Sequence, residues 1–152
     1  MMTPVILTEP NTLLHQRSVP VTKFIEAKHI AEKLTLILKA KSKFWNRWVG
    51  FAANQIGYPV RMVALRNIAN KYPVLINPQI IEKKFPFPYV EGCFSVKGFY
   101  LVKRYLWARV KFQTLTAEWH EIVLKGPSAI YQEIDHLNGI LVSEVGKLLY
   151  KK

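Results

Sequence analysis

The stretch Tyr131-Gln132-Glu133-Ile134-Asp135-His136-Leu137-Asn138-Gly139 limits what this chain can fold into more than any other. Gly126-Pro127 upstream can open a helix, because a proline at the first helical position gives up an N–H that has no partner there anyway. Gly139 can close it. At about 100° per residue, Gln132 and His136 stack one turn apart on one face, Ile130, Ile134 and Leu137 gather on a roughly opposite face, and Glu133 lies between. Such a helix shows polar groups to a cleft and apolar groups to a core, so it belongs at the centre of the fold. The spacing approximates H-E-x-x-H, where two histidines bind a metal and the glutamate handles the proton of a water. Gln132 stands where the first histidine would be. Taken alone, the same residues make an ordinary amphipathic helix with a polar side, and a metal site needs a further ligand from elsewhere.

The chain has a single cysteine, Cys93, within Glu91-Gly92-Cys93-Phe94-Ser95. The glycine admits a close backbone approach, and the cysteine can ligate as a thiolate. A lone cysteine is otherwise a small buried hydrophobe. A third run, Gly50-Phe51-Ala52-Ala53-Asn54-Gln55-Ile56-Gly57, sets a glutamine among small residues. These runs, in this order, resemble the motifs of the peptide deformylase family: G-x-G-L-A-A-x-Q, E-G-C-L-S and Q-H-E-x-D-H. Ile6-Leu7 with Pro10 and Leu13 resembles the family's opening, and Val102 to Arg104 resembles the stretch after its cysteine. The resemblance spans almost the whole chain.

That resemblance implies a hydrolase that removes the formyl group from N-formylmethionine of nascent peptides. It implies a divalent metal, Fe²⁺ or Zn²⁺, held by Cys93, His136 and, at the place of the family's first histidine, Gln132. An amide oxygen reaches about as far as an imidazole Nε2 but suits harder cations than a thiolate site does, so the metal would be weakly bound. A one-residue deletion that removed the histidine and kept a neighbouring glutamine fits the alignment equally well. By the same resemblance Glu133 carries the proton, while the Gln55 side chain and the Phe94 backbone N–H stabilise the oxyanion. Val49 and Gly50 would border the substrate backbone. Trp48 replaces the first glycine of the opening motif, where its ring would narrow the cleft or serve as a core or binding aromatic. Two functions remain open: an active deformylase, and a catalytically weak or inactive deformylase-like protein that binds nascent peptides or ribosomal RNA. A zinc endoprotease would need both helical histidines.

Length and charge agree with this reading. A chain of 152 residues fits a single domain, 1–152, burying about two-thirds of its unfolded surface. No run of about 18 apolar residues offers a membrane span, and nothing at the start resembles a signal peptide. With one cysteine and no internal disulfide, the expected setting is cytoplasmic, and a monomer is expected. Twenty-two Lys and Arg against ten Asp and Glu leave a net charge of +12, which attracts polyanions such as ribosomal RNA. Local concentrations fall at Lys39, Lys41, Lys43 and Arg47, at Lys83 and Lys84, and at Lys147, Lys151 and Lys152.

In chain order, residues 1–21 read as an extended arm. Ala27, Ile30, Ala31, Leu34, Ile37 and Leu38 recur at helical spacing between about Thr22 and Phe44, with Thr22 as N-cap. Val60 to Leu65 and Val74 to Ile76 read as strands, the second stopped by Asn77-Pro78. Phe85-Pro86-Phe87-Pro88 reads as a loop, because its prolines lack ladder donors. Ala108 to Thr114 alternates like a half-buried strand and turns near Thr116-Ala117-Glu118 into a second strand from Trp119 to Leu124. The architecture expected is α+β: mostly antiparallel strands around a central helix that carries the metal site, with the first helix outside.

Overall fold

A computed structural model describes residues 2–43, 49–67 and 71–151; the sequence expectations for Phe44, Arg47, Trp48 and Lys152 lie outside them. An arm with a 3-10 turn at Thr12–His15 leads into α1 (Phe24–Lys41). β1 (Gly50–Ala52), a 3-10 turn (Ala53–Ile56) and β2 (Met62–Leu65) follow. Two long strands, β3 (Val74–Cys93) and β4 (Val96–Gln113), precede β5 (Trp119–Lys125), α2 (Ile130–Leu137), the single turn α3 (Val142–Val145) and β6 (Lys147–Tyr150). The class is the α+β expected, with the strands in one curled antiparallel sheet ordered β1-β2-β3-β4-β5. β5 and β6 divide one edge of β4, β5 taking Trp107 to Gln113 and β6 taking Phe99 to Leu101.

Strand β3 departs most from the sequence expectation. Asn77, at φ 51°, does not stop it; the residue sits in a bulge between Ile76 and Gln79, and the strand runs on to Cys93. The expected loop at Phe85–Pro88 is therefore strand, with Pro86 opposite Tyr105 and Pro88 opposite Lys103. Residues two apart aim their backbone nitrogens at the same edge. β2 covers β3 only at Val74 to Ile76, so the edge beyond is open, and a proline nitrogen facing it costs no ladder bond. Pairing with this longer β3 extends β4 back to Val96, well before the expected Ala108.

Both helices begin later than the sequence suggests. Lys23, not Thr22, precedes α1 and provides no side-chain cap. Asn77 holds the segment before it extended, accepting from the Val21 N–H at 2.8 Å and donating to the Val21 carbonyl at 3.0 Å. α2 starts at Ile130 rather than at Pro127, with the Ser128 hydroxyl accepting from the Ile130 N–H at 3.2 Å. Its end is as expected: Gly139 follows the helix at φ 72°, in the left-handed region, and a Cβ there would lie 2.6 Å from the His15 carbonyl oxygen.

The apolar spacing of α1 was legible: Ala27, Ile30, Ala31, Leu34, Ile37 and Leu38 are all buried. They pack with Phe51, Met62, Ala64 and Ile76 on one face of the sheet. On the other face Ala52, Val63 and Leu75 meet Ile130, Tyr131 and Leu137 of α2, along with Ala108 and Val110 of β4. β1 and β2 are thus covered on both sides, which is why Met62-Val63-Ala64-Leu65 is an unbroken apolar run rather than an alternating one. Each fully buried large side chain contributes roughly 1.5–3 kcal/mol. The two helices clamp the short strands and leave α2 with one side against the end of β3.

Candidate active site

Three backbone devices bring the polar residues together. The first is the tight turn joining β3 to β4, with Cys93 opposite Val96, which presents the Cys93 sulfur at the end of the sheet. The second is α2, whose C-terminal carbonyls are all held: Asn54 Nδ2 donates to the His136 carbonyl at 2.6 Å, and Arg61 Nη1 and the Ser18 N–H donate to that of Leu137 at 2.9 and 2.8 Å. The third is the 3-10 turn after β1, where Gln55 Oε1 accepts from the Ala52 N–H at 2.9 Å and so fixes the amide. The N-terminal arm braces two of these devices, the Leu7 N–H donating to the Gln55 carbonyl at 2.7 Å and the Glu9 N–H to the Ser95 carbonyl at 2.9 Å.

At the centre, Cys93 Sγ lies 3.3 Å from His136 Nε2. The Ser95 N–H donates to the same sulfur at 3.4 Å, and Gln55 Nε2 stands 3.8 Å from it while donating to Ser95 Oγ at 3.1 Å. Glu133 and His136 are buried, and Glu133 Oε2 and His136 Nδ1 have no hydrogen-bond partner. Such orphaned buried atoms in a well-packed site are what a bound ligand would satisfy. A cleft of about 210 Å³ opens here, lined by Val49, Gly50, Cys93, Phe94, Gln132 and Glu133 among others. Gly50 has to lack a side chain, since a Cβ would fall 2.8 Å from Glu133 Cγ. The Phe94 ring stacks on Phe51 at 5.1 Å.

A buried ion network frames the cleft. Arg104 grips Glu91 through Nε and Nη2 at 2.7 and 2.8 Å and reaches Asp135 through Nη1 at 2.9 Å, tying β3, β4 and α2 together. Gln132 Nε2 joins it, donating to Glu91 Oε1 and to the Gly92 carbonyl, each at 3.1 Å. Both partners are acceptors, so the nitrogen end of this amide is spent on the frame and only its oxygen is left for a cation.

Burial pushes the Cys93 thiol up to about 12, the Ser95 N–H opposing and the Glu133 carboxylate adding to the rise. Burial also brings the His136 imidazole down to about 4, with Arg104 adding to the effect. The Glu133 carboxyl stands well above the usual carboxylate range, first through burial and then through the Glu91 charge. In the bare protein the cleft is therefore lined by a thiol, a neutral imidazole and a carboxylic acid. A cation placed among them would favour their deprotonated forms.

The structure thus brings Cys93, His136, Gln132, Glu133, Gln55, Phe94, Val49 and Gly50 to one cleft. Sequence reasoning overlooked the roles of Asn54, Arg61, Ser95 and the Arg104–Asp135 pair. Asn54 and Ser95 sit inside the motif runs and carried a signal; Arg61, before a short strand, carried none.

Known proteins bear on this geometry. The family model described as polypeptide deformylase matches residues 4–149. A peptide deformylase from Wolinella succinogenes is 36% identical over 159 aligned positions, covering 97% of this chain and 90% of that protein, and one from Desulfotalea psychrophila is 33% identical with 97% and 92% covered. Among solved structures, the Thermotoga maritima peptide deformylase superposes with a TM-score of 0.85 at 29% identity, covering 95% of this chain and 98% of that one. An actinonin-bound class I type b peptide deformylase from Acinetobacter baumannii gives 0.83 at 27% identity, with 95% and 99% covered. Since the matched span takes in the Gln55 turn, the Cys93 turn and α2 together, the chain belongs to the peptide deformylase family.

Proposed function

We propose that this chain hydrolyses the formyl amide of N-formylmethionine on nascent peptides, releasing formate and a free amine. The observation that carries the reading is the convergence of Cys93 Sγ and His136 Nε2 at 3.3 Å beside a buried glutamate whose Oε2 has no partner.

The family is metal-dependent in general, and the donors here fit a cation in part. With bonds of about 2.3 Å to sulfur and about 2.0 to 2.1 Å to nitrogen, two ligands of a tetrahedral ion stand roughly 3.5 Å apart, close to the separation found between Cys93 and His136. Gln132 would complete the set through its amide oxygen, a poorer donor beside a thiolate than the imidazole it replaces, so occupancy would be weaker. Held by Cys93, His136 and Gln132, Fe²⁺ or Zn²⁺ would act as a Lewis acid and ease deprotonation of water at neutral pH.

The chain's own groups do the rest. Glu133 takes the proton of the attacking water and gives it to the amine nitrogen as the C–N bond breaks. Gln55, its amide pinned by Ala52 and Ser95, and the Phe94 backbone N–H stabilise the oxygen that gains charge at the formyl carbon. Val49 and Gly50 border the peptide backbone, and Trp48 is assigned to the same wall by its place in the motif. In this reading residues 1–152 work as a single domain and as a monomer in the cytoplasm, near the ribosome whose nascent chains it meets. Among the described residues no helix is long and apolar enough to cross a membrane.

The test is metal analysis of protein purified without oxygen, paired with an assay on formyl-Met peptides. Gln132→His is expected to raise metal content and turnover together, and Glu133→Gln to keep the metal and lose about 10²–10⁴-fold in rate. If Gln132→His restores metal alone, adding Trp48→Gly should recover turnover. A fully metallated double variant that ignores several formyl-Met peptides would overturn the hydrolase reading in favour of a peptide- or RNA-binding protein.

A further inference from the structure

The proposed hydrolysis uses one side of the sheet. On β4 the fully buried Ala108 and Val110 face α2, so strand alternation turns Trp107, Arg109 and Lys111 to the opposite face. In register with Trp107, Lys84 stands on β3 and Lys125 on β5, one cation on each side of the indole. The Lys84 ammonium lies 4.7 Å from the centre of the Trp107 ring and the Arg109 guanidinium 5.7 Å from it. Further along, the Lys111 ammonium lies 4.5 Å from the ring of Trp119, which is 47% exposed. Glu82 touches both Lys84, at 3.1 Å, and Arg109, at 3.3 Å, and so keeps those cations beside the Trp107 ring.

We propose that this outer face of β3, β4 and β5 is a docking surface for single-stranded RNA, with bases stacking on Trp107 and Trp119 and phosphates meeting Lys84, Arg109, Lys111 and Lys125. Aromatic rings accept any base by its face, and cations in register beside them follow the phosphate backbone. The net charge of +12 supplies the long-range attraction. An acidic peptide would engage the cations and leave the indoles idle. A lipid surface calls for a continuous apolar strip, which the interleaved lysines and Arg109 interrupt.

The test is fluorescence anisotropy of a labelled single-stranded oligouridylate titrated with the full chain over a range of salt. Trp107→Ala and Trp119→Ala should each weaken binding roughly tenfold with the salt slope unchanged, and Trp107→Phe should keep most of the affinity. Lys84→Glu and Arg109→Glu should flatten the slope by about 0.7 for each phosphate no longer neutralised. Three results would overturn the proposal: tryptophan variants that bind like the parent; equal weakening by Lys28→Glu and Lys39→Glu on α1; or capture of polyglutamate or phosphatidylserine vesicles with no binding of RNA. Formyl-peptide turnover measured on the same samples should not change. An inactive hydrolase would leave the RNA result standing, and the two proposals fail separately.

Discussion

Arg104 and Arg109 stand on the same strand and each pairs with a glutamate of β3, yet they live in different media. Arg104 and Glu91 have side chains only 9% and 6% exposed, whereas Arg109 and Glu82 are 43% and 38% exposed. Away from water an ion pair cannot open without stranding a charge, so Arg104, Glu91 and Asp135 form a fixed frame around the cleft. On the open face water competes for both partners, and the pair is weak enough to be exchanged for a ligand. One strand thereby supports rigidity at one end and an adaptable surface at the other.

The comparison breaks most sharply at Arg104. Arg104→Leu leaves Glu91 and Asp135 close together and unpaired, and should lose about 3–5 kcal/mol in urea unfolding. Indistinguishable midpoints for the variant and the parent would mean that the frame is not structural. A milder change is Glu91→Gln, which keeps the shape and removes the charge that Arg104 grips and Gln132 touches. Its expected cost is about 1–3 kcal/mol, along with looser hold of the Cys93 turn, read as faster amide exchange at Gly92 to Ser95. The smallest effect belongs to Arg109→Leu, which should shift stability by less than about 1 kcal/mol. A loss as large as that of Arg104→Leu would erase the contrast.

How far the sequence foretold this depends on how local each signal is. α2 was readable because its apolar positions, its polar face and Gly139 all fall within one short stretch, and the three motif runs named Gln55, Cys93, Glu133 and His136 directly. The path of β3 was not readable, because a proline pair signals the absence of ladder donors without saying which edge the nitrogens face. Pro86 and Pro88 fit only because β2 stops at Ile76. The Arg104 frame was hidden for a similar reason: its partners lie 13 and 31 residues away, and only the register of β3 against β4 and the docking of α2 bring them together. Gln132 could be read as standing at a ligand position, but its engagement with Glu91 and Gly92 could not.

The arm that braces Gln55 and Ser95 has a kinetic consequence. β3 and β4 are neighbours along the chain and meet through a two-residue turn, so their pairing can spread outward from Phe94 and Ser95 at little cost in loop closure. The bonds from Leu7 to Gln55 and from Glu9 to Ser95 join positions far apart in the chain, and these close the larger loops. In refolding, the hairpin that carries the cysteine should therefore assemble ahead of the wall that steadies it. Alkylation of Cys93 should then stay fast for an interval after strand signals have appeared, and slow only when the arm docks.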